Sequence, residues 1–379
     1  MTRGTTPGYT RCMRGDLLIL STRSMNEYTA RVAYHIETFP EFHTANQSAE
    51  FVGKLNTVTF ADGEMEVEVG SSLRGKDVFL FSNAGRNSKG LSVEENKLEL
   101  YHTVDALRRS QAGRITLFEP YCSSSRSDRT TRRNSVGFWV HYKTLMSLGV
   151  NHIITYNLHS DKSRTVVDPT LCAIEDIPAI VLLKEYITDT FIKTTGTLDD
   201  EIKDTWLFCS VDAGGEGVAK KYAQAFGARL VIAHKQRNYN LANTVESINI
   251  LTDTEIGGKE VWVVDDMIDT AESVYRLVRE LKERGVGKGN SGAVQPVFSP
   301  PAVERLQRLH QEGLLEKVVV VDTVHCSDGL KAEMPFLHVV SSARLSAEVI
   351  MRMHEDGSLS PFFDQFDARH YLSGLKLFI

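Results

Sequence analysis

The chain reads as an α/β protein made of two similar doubly wound halves with mainly parallel sheets. Three observations lead there. Short apolar runs rich in β-branched residues recur along the 379 residues. Helical patterns such as Glu95–Ser110 and Gly215–Phe226 separate many of them. Polar or acidic loops follow several runs directly, as expected where parallel strands are joined by crossover helices.

Taken in order, the apolar runs predict strands at Asp16–Ser21, Lys76–Phe81, Gly113–Phe118, His152–Asn157, Ile177–Leu182, Leu207–Ser210, Arg229–His234, Glu260–Val264, Ala293–Val297 and Lys317–Asp322. The pattern plays out twice, with a seam near Leu171–Ile177. We therefore expect a first unit over 15–172, a second over 173–350, and a C-terminal segment, 351–379, packed on the first unit or at a subunit contact. Thr194–Asp204 is polar and acidic and reads as a surface loop or insertion. Gly285–Gly292 is Gly-rich and reads as a mobile loop, Met1–Arg14 as a flexible leader, and Asp364–Ile379 as an aromatic-bearing tail that packs somewhere.

The bulk numbers narrow the function. Hydrophobic content of 42 % suits globular cores, and a net charge of −6 offers no basic field to nucleic acid. The five cysteines (Cys12, Cys122, Cys172, Cys209, Cys326) contain no Cys-x-x-Cys pair. That spacing argues against a disulfide framework or a zinc site and suits a reducing cytosol. No apolar run approaches the ~18 residues of a membrane span, and the leader lacks the apolar centre of a signal peptide.

The most informative segment runs from Val261 to Ser273. Four apolar residues, Val261 to Val264, are followed by Asp265 and Asp266, then by Asp269-Thr270-Ala271-Glu272-Ser273 and an amphipathic run. This is a buried parallel strand, an acidic loop at its carboxyl end, and a helix start, the place where open α/β sheets bind ligands. Thr270, Ser273 and the backbone N–H groups of a helix N-terminus can hold a phosphate. Asp265 and Asp266 can hold sugar hydroxyls, directly or through a divalent metal. A bare Asp-Asp at a strand end is also a common helix cap with a solvated neighbour.

The whole string resembles the ribose 5-phosphate/PRPP-binding loop shared by type I phosphoribosyltransferases and ribose-phosphate pyrophosphokinases (PRPP synthetases). The resemblance to the latter family extends from about Asp16 to Phe363, in the family's order. Phe60-Ala61-Asp62-Gly63-Glu64 resembles its adenine-binding loop, and Ser125-Arg126-Ser127-Asp128-Arg129 its Arg-Gln-Asp-Arg segment. Asn157-Leu158-His159-Ser160-Asp161 and Ser210-Val211-Asp212-Ala213-Gly214-Gly215 match two further strand-end motifs, and His234-Lys235-Gln236-Arg237 stands where the family has Lys-Arg-Arg.

The resemblance implies two phosphoribosyltransferase-like domains. It implies transfer of the pyrophosphoryl group of ATP to the 1-hydroxyl of ribose 5-phosphate, with Mg²⁺ as cofactor. Asp265, Asp266, Asp269, Thr270, Ala271, Glu272 and Ser273 would hold ribose 5-phosphate. Phe60, Asp62, Glu64, Arg126 and Asp128 would hold ATP, His159 and Asp212 the metal, and Lys235 and Arg237 would stabilise the transferred group. It further implies self-association to a dimer or hexamer, with the Phe60 loop serving a neighbour's site, and a cytoplasmic protein without nucleic-acid or membrane partners.

Locally, each motif has a plainer reading. Phe60–Glu64 reads as a Gly-centred hairpin turn with a core Phe, Arg126–Arg133 as a solvated charge cluster rather than a phosphate- or adenine-gripping Arg126 oriented by Asp128, His159 as a satisfied structural histidine, and Asp212 as a helix cap. Three departures bear on activity: Ser127 for Gln, Gln236 for the middle Arg, and Glu272 for a Gly whose absence threatens the phosphate cradle. They leave one alternative, a catalytically weak or silent regulatory subunit of the same family; a second, a phosphoribosyltransferase, accounts only for the Asp265–Ser273 loop and not for the first half of the chain.

Overall fold

The computed structural model describes residues 14–40, 42, 50–130, 133–192, 200–212, 214–237, 245–363 and 366–372. The first half comprises β1 (Leu17–Ser21), α1 (Asn26–Thr38), β2 (Leu55–Thr59), β3 (Met65–Val69), β4 (Asp77–Phe81), α2 (Val93–Arg109), β5 (Arg114–Phe118), α3 (Gly137–Leu148), β6 (His152–Tyr156) and β7 (Ala173–Ile177). Next come α4 (Ile180–Ile187), α5 (Asp200–Thr205), β8 (Trp206–Ser210), α6 (Glu216–Phe226), β9 (Arg229–Arg237), β10 (Val245–Leu251) and β11 (Glu260–Met267). The remainder is α7 (Glu272–Glu283), β12 (Lys288–Gln295), α8 (Ala302–Gln311), β13 (Lys317–Val321), α9 (Asp328–Glu333), β14 (Leu337–Val340), α10 (Ala343–His354) and α11 (Ala368–Leu372).

One sheet has the order β1-β4-β5-β6-β7 and is parallel throughout. The other has the order β10-β9-β8-β11-β12-β13-β14, parallel except for the antiparallel edge pair β9–β10. Strands β2 and β3 form a separate antiparallel hairpin. The fold is α/β with mainly parallel sheets, as the alternation of runs requires.

Four sequence expectations are corrected. Ile177–Leu182 is not a strand: β7 ends at Ile177 and α4 begins at Ile180. Pro178 cannot donate to a ladder, and the apolar run Ile180–Leu183 that looks like a strand is the first turn of a short helix that buries Ile180, Leu182, Leu183 and Ile187. Ala173–Ile177, placed at the head of the second unit, pairs with β6 and completes the first sheet. Gly285–Gly292 is not all loop, because Lys288–Gly292 starts the central strand β12. Its small residues reflect crowding, since a Cβ on Gly289 would lie 2.5 Å from the Leu314 carbonyl oxygen. Finally, Asp200–Asp204 belongs to α5, while 193–199 lie outside the described residues.

The core explains why the halves do not separate. One cluster lies between the first sheet and α2 and α3, and another between the second sheet and α7 and α8. A third joins the inner faces of both sheets, with Phe79, Phe81 and Phe118 from one and Phe208, Trp262 and Val264 from the other, together with α1, α4, α6 and α10. Burying each large side chain contributes on the order of 2 kcal/mol. Polar bonds reinforce this junction. Tyr28 Oη lies 2.7 Å from both Ser342 Oγ and Ser346 Oγ, and Tyr156 Oη lies 2.7 Å from Ser346 Oγ. His354 Nδ1 lies 2.9 Å from Asp77 Oδ2, with both side chains buried. Chain crossing back onto the first sheet thus begins with α10, ahead of residue 351. In the tail, Phe366 and Ala368 are buried and Tyr371 donates to Asp189 at 2.8 Å.

Candidate active site

The carboxyl ends of β6, β8 and β11 converge on a cavity of about 620 Å³. A buried glutamine sets their spacing. Gln295, the last residue of β12, donates its side-chain amide to Tyr156 O (2.6 Å) and Pro120 O (3.2 Å). This bond ties the second sheet to the end of β6, three residues before His159, and to the loop that carries Arg126. No local motif marks Gln295, and the sequence reading missed it.

Within the cavity the acidic pair lies in the last residues of β11 rather than past its end. Asp266 Oδ2 lies 2.6 Å from His159 Nδ1, and Asp266 N donates to Asp265 Oδ1 at 2.9 Å. Burial, then the neighbouring Asp266 charge, push the Asp265 carboxyl well above the usual carboxylate range. Burial, the largest single influence, acts in the same direction on Asp266, but the hydrogen bonds from His159, Asp265 and the Met267 backbone, with the His159 charge, together outweigh it and hold that carboxyl below its ordinary value. The same bond raises His159. Two adjacent carboxylates without two cations are costly when buried, so the site favours an incoming cation or hydroxyl donors.

The rest of the loop wraps the N-terminus of α7. Asp269 Oδ2 pairs with Arg126 at 2.5 Å across the domain junction. Thr270 O accepts from Arg305 of α8 at 2.8 Å. Ala271 adopts a left-handed backbone, φ 57°, at the position where the resemblance has a glycine. Glu272 pairs with Arg276 and Arg305, so its carboxylate is turned toward these cations and the cradle of N–H groups is not filled by it. Ser273 lines the cavity with Thr270.

Asp212 also faces the cavity, and its Oδ1 accepts from the backbone N–H groups of Gly214 (2.9 Å) and Gly215 (3.1 Å). Asp212 thus closes the turn that leads into α6, but it is not the helix cap, a position held by Gly215. His159, Asp212, Asp265 and Asp266 share the same wall. Among the described residues no three His, Cys, Asp or Glu side chains are grouped tightly enough to hold a metal alone. Such a sparse set, three carboxylates with one imidazole, fits magnesium, which takes one or two protein ligands, usually carboxylates, and leaves the rest to water and phosphate.

Several expected residues lie elsewhere. Phe60, Asp62 and Glu64 sit at the tip of the β2–β3 hairpin, away from the cavity. Gly63 turns the tip at φ 95°, and Asp62 Oδ1 accepts from Glu64 N at 3.1 Å. The hairpin reading holds, but Phe60 is 46 % exposed, so it is not the core residue that reading assumed. Asp128 does not orient Arg126. It accepts from Ser163 Oγ at 3.4 Å, and Asp269 takes the guanidinium instead. Ser127 Oγ accepts from Gly137 N at 3.0 Å and so shapes the entry to α3. The backbone of Lys235 and Arg237 runs in β9, but their side chains, and residues 238–244, lie outside the described part of the structure. Arg129 and His234 line the cavity without having been assigned roles.

Comparison with known proteins agrees with this arrangement. Residues 17–149 match the N-terminal domain of ribose phosphate pyrophosphokinase, and residues 174–294 match the phosphoribosyl transferase domain. A ribose-phosphate pyrophosphokinase of Chromobacterium violaceum is 32 % identical over 316 residues, covering 83 % of this chain and 88 % of the relative. Ribose-phosphate pyrophosphokinase 1 of Spinacia oleracea is also 32 % identical, covering 82 % and 85 %. The crystal structure of phosphoribosylpyrophosphate synthetase from Mycobacterium smegmatis superposes with a TM-score of 0.74 at 26 % identity, covering 90 % of this chain and all of that one. With both of its domains matched by family models and relatives 32 % identical over more than four-fifths of its length, the chain belongs to the ribose-phosphate pyrophosphokinase family.

Proposed function

We propose that the β6–β8–β11 cavity transfers the pyrophosphoryl group of ATP to the 1-hydroxyl of ribose 5-phosphate, giving PRPP and AMP. The observation that carries this reading is the placement of Asp265 and Asp266 within one loop of the α7 N-terminus, so that one continuous surface offers hydroxyl acceptors at one end and a phosphate cradle at the other. The sugar phosphate would lie on Thr270, Ala271 and Ser273 with the helix dipole behind it. Its ring hydroxyls would face Asp265 and Asp266. The O1–Pβ bond forms as the bond from Pβ to the oxygen bridging it to Pα breaks; AMP leaves with that oxygen and the hydroxyl proton goes to solvent.

Positioning and charge stabilisation dominate such a step. Arg126 is poised to exchange Asp269 for nucleotide phosphate, and Lys235 and Arg237 on β9 would steady the transferred group. Magnesium held by His159 and Asp212 would neutralise polyphosphate charge. The exposed Phe60–Glu64 tip suits an adenine site completed between copies in a dimer or hexamer. No helix among the described residues is long and apolar enough to cross a membrane, and a cytoplasmic setting fits the substrates. The reading of a silent regulatory subunit drew on Ser127, Gln236 and Glu272; of these, Glu272 has its carboxylate engaged by Arg276 and Arg305, and Ser127 accepts from Gly137 N.

The test is direct. The purified protein, given Mg-ATP and ribose 5-phosphate, is expected to form AMP and PRPP in equal amounts. A folded, assembled sample that yields no AMP overturns the proposal.

A further inference from the structure

We infer that Arg305 is a positioning residue of the sugar-phosphate loop: it holds the Glu272 carboxylate out of the cradle that this carboxylate would otherwise occupy. The inference rests on the assignment of residues 269–273 to the sugar phosphate and goes beyond it.

Glu272 is the first residue of α7. The leading N–H groups of a helix have no intrahelical acceptor, and a carboxylate is among their preferred partners. A glutamate at this position is thus a built-in competitor for a phosphate dianion, and it adds like charge beside one that binds. It also forms part of the wall between two cavities, the active one and an outer groove of about 450 Å³ that includes Tyr275, Glu304 and Arg308. The rotamer of Glu272 therefore decides which side its charge faces.

Two guanidinium groups set that rotamer. Arg276, one turn along the same helix, takes Oε1, and Arg305, reaching from α8, takes Oε2. Arg305 does a second thing with the same planar group: it donates to Thr270 O at 2.8 Å. One guanidinium thus grips the loop on both sides of Ala271, which occupies the left-handed conformation. A lysine offers a single point charge and cannot span both acceptors in this way. Arg276 follows α7 itself and cannot fix the helix relative to the preceding backbone, whereas Arg305 comes from a separate helix and can.

The experiment uses the full-length enzyme and reads KM for ribose 5-phosphate, KM for ATP, kcat and thermal midpoint. Arg305→Met is expected to raise the ribose 5-phosphate KM about tenfold, with kcat and the ATP KM within about twofold. Adding Glu272→Gln is expected to bring that KM back to within about threefold of the parent, because the competitor's charge is gone. Arg305→Lys should fall between the two, and it reads the same effect if the methionine variant fails to fold. An unchanged KM in the Arg305 variants overturns the inference, as does a double variant no better than the single. Thr270→Val separates the underlying assignment. If it leaves the ribose 5-phosphate KM unchanged, the loop is not the sugar-phosphate site and the inference falls with it. If it raises that KM while the Arg305 variants do not, only the role of Arg305 is lost.

Discussion

The two domains meet along one junction whose two ends are built differently. At the cavity end, beside the buried Gln295 bonds, the crossing contacts are the ion pairs Arg126–Asp269 and His159–Asp266, in which the guanidinium is 54 % and the imidazole 44 % exposed while their carboxylates are 17 % and 13 % exposed. At the far end they are the Tyr28–Ser342–Ser346–Tyr156 hydroxyl cluster and the Asp77–His354 pair, all buried. Exposed ion pairs contribute roughly 0–1 kcal/mol, while removing one member of a buried pair costs about 3–5 kcal/mol. The cavity contacts can therefore yield to reactants that bring their own charge, and the far contacts keep the domains in place while they do. The hydroxyl cluster and the Asp77–His354 pair are buried, whereas the cavity end combines two half-exposed ion pairs with the buried Gln295 tie.

Three substitutions probe that division, and the largest effect should come from the cavity end. His159→Ala is expected to lower kcat/KM by about a thousandfold, near 4 kcal/mol, with a urea midpoint close to the parent's. A large stability loss without loss of turnover would break the comparison. At the far end, His354→Ala leaves the Asp77 carboxylate buried without its partner and should cost about 3 kcal/mol in urea unfolding, with kcat per folded molecule retained. If it instead abolishes turnover in folded protein, the far end is not a passive fastening. The smallest effect is expected at Ala271. A non-glycine residue at positive φ is strained, so Ala271→Gly should stabilise by up to about 1 kcal/mol. A loss of stability there would show that the left-handed turn is not maintained in solution.

Much of the fold was legible from sequence because buried parallel strands are continuous β-branched runs. Lys317–Val321 and Val261–Val264 could hardly be read otherwise. What failed, failed for physical reasons. Residues 180–187 form a helix that opens on the apolar run Ile180–Leu183 and spans only about two turns, too short for its period to stand out from a strand. The first half of β12, Lys288-Gly289-Asn290-Ser291-Gly292, looks like a loop because crowding by Leu314 and a bond from Asn290 to Glu260 select small and polar residues there. Strands β10 and β14 lie at the sheet edges, where partial exposure dilutes the apolar signal.

The site divides in the same way. Asp265, Asp266, Asp269, Thr270, Asp212 and His159 could be found because each lies in a short motif at a strand end. Gln295 and Arg305 could not, since each acts across the fold on residues distant in sequence. Glu272 was visible as a departure, but its direction depends on Arg305, thirty-three positions away. A carboxylate at the first position of a helix proposed to hold a phosphate is nevertheless a usable signal, because it calls for a cation somewhere nearby.

The shared central core also bears on how the polypeptide is made. Helix α10 covers α1 and closes the first sheet's inner face, yet it is synthesised more than three hundred residues after β1. A ribosome-bound N-terminal half therefore waits with an open apolar face until residue 354 has emerged, a state in which chains are prone to associate. A fragment ending at residue 340 should accordingly be digested readily by protease where the full chain resists. Resistance of that fragment would mean the halves mature independently after all.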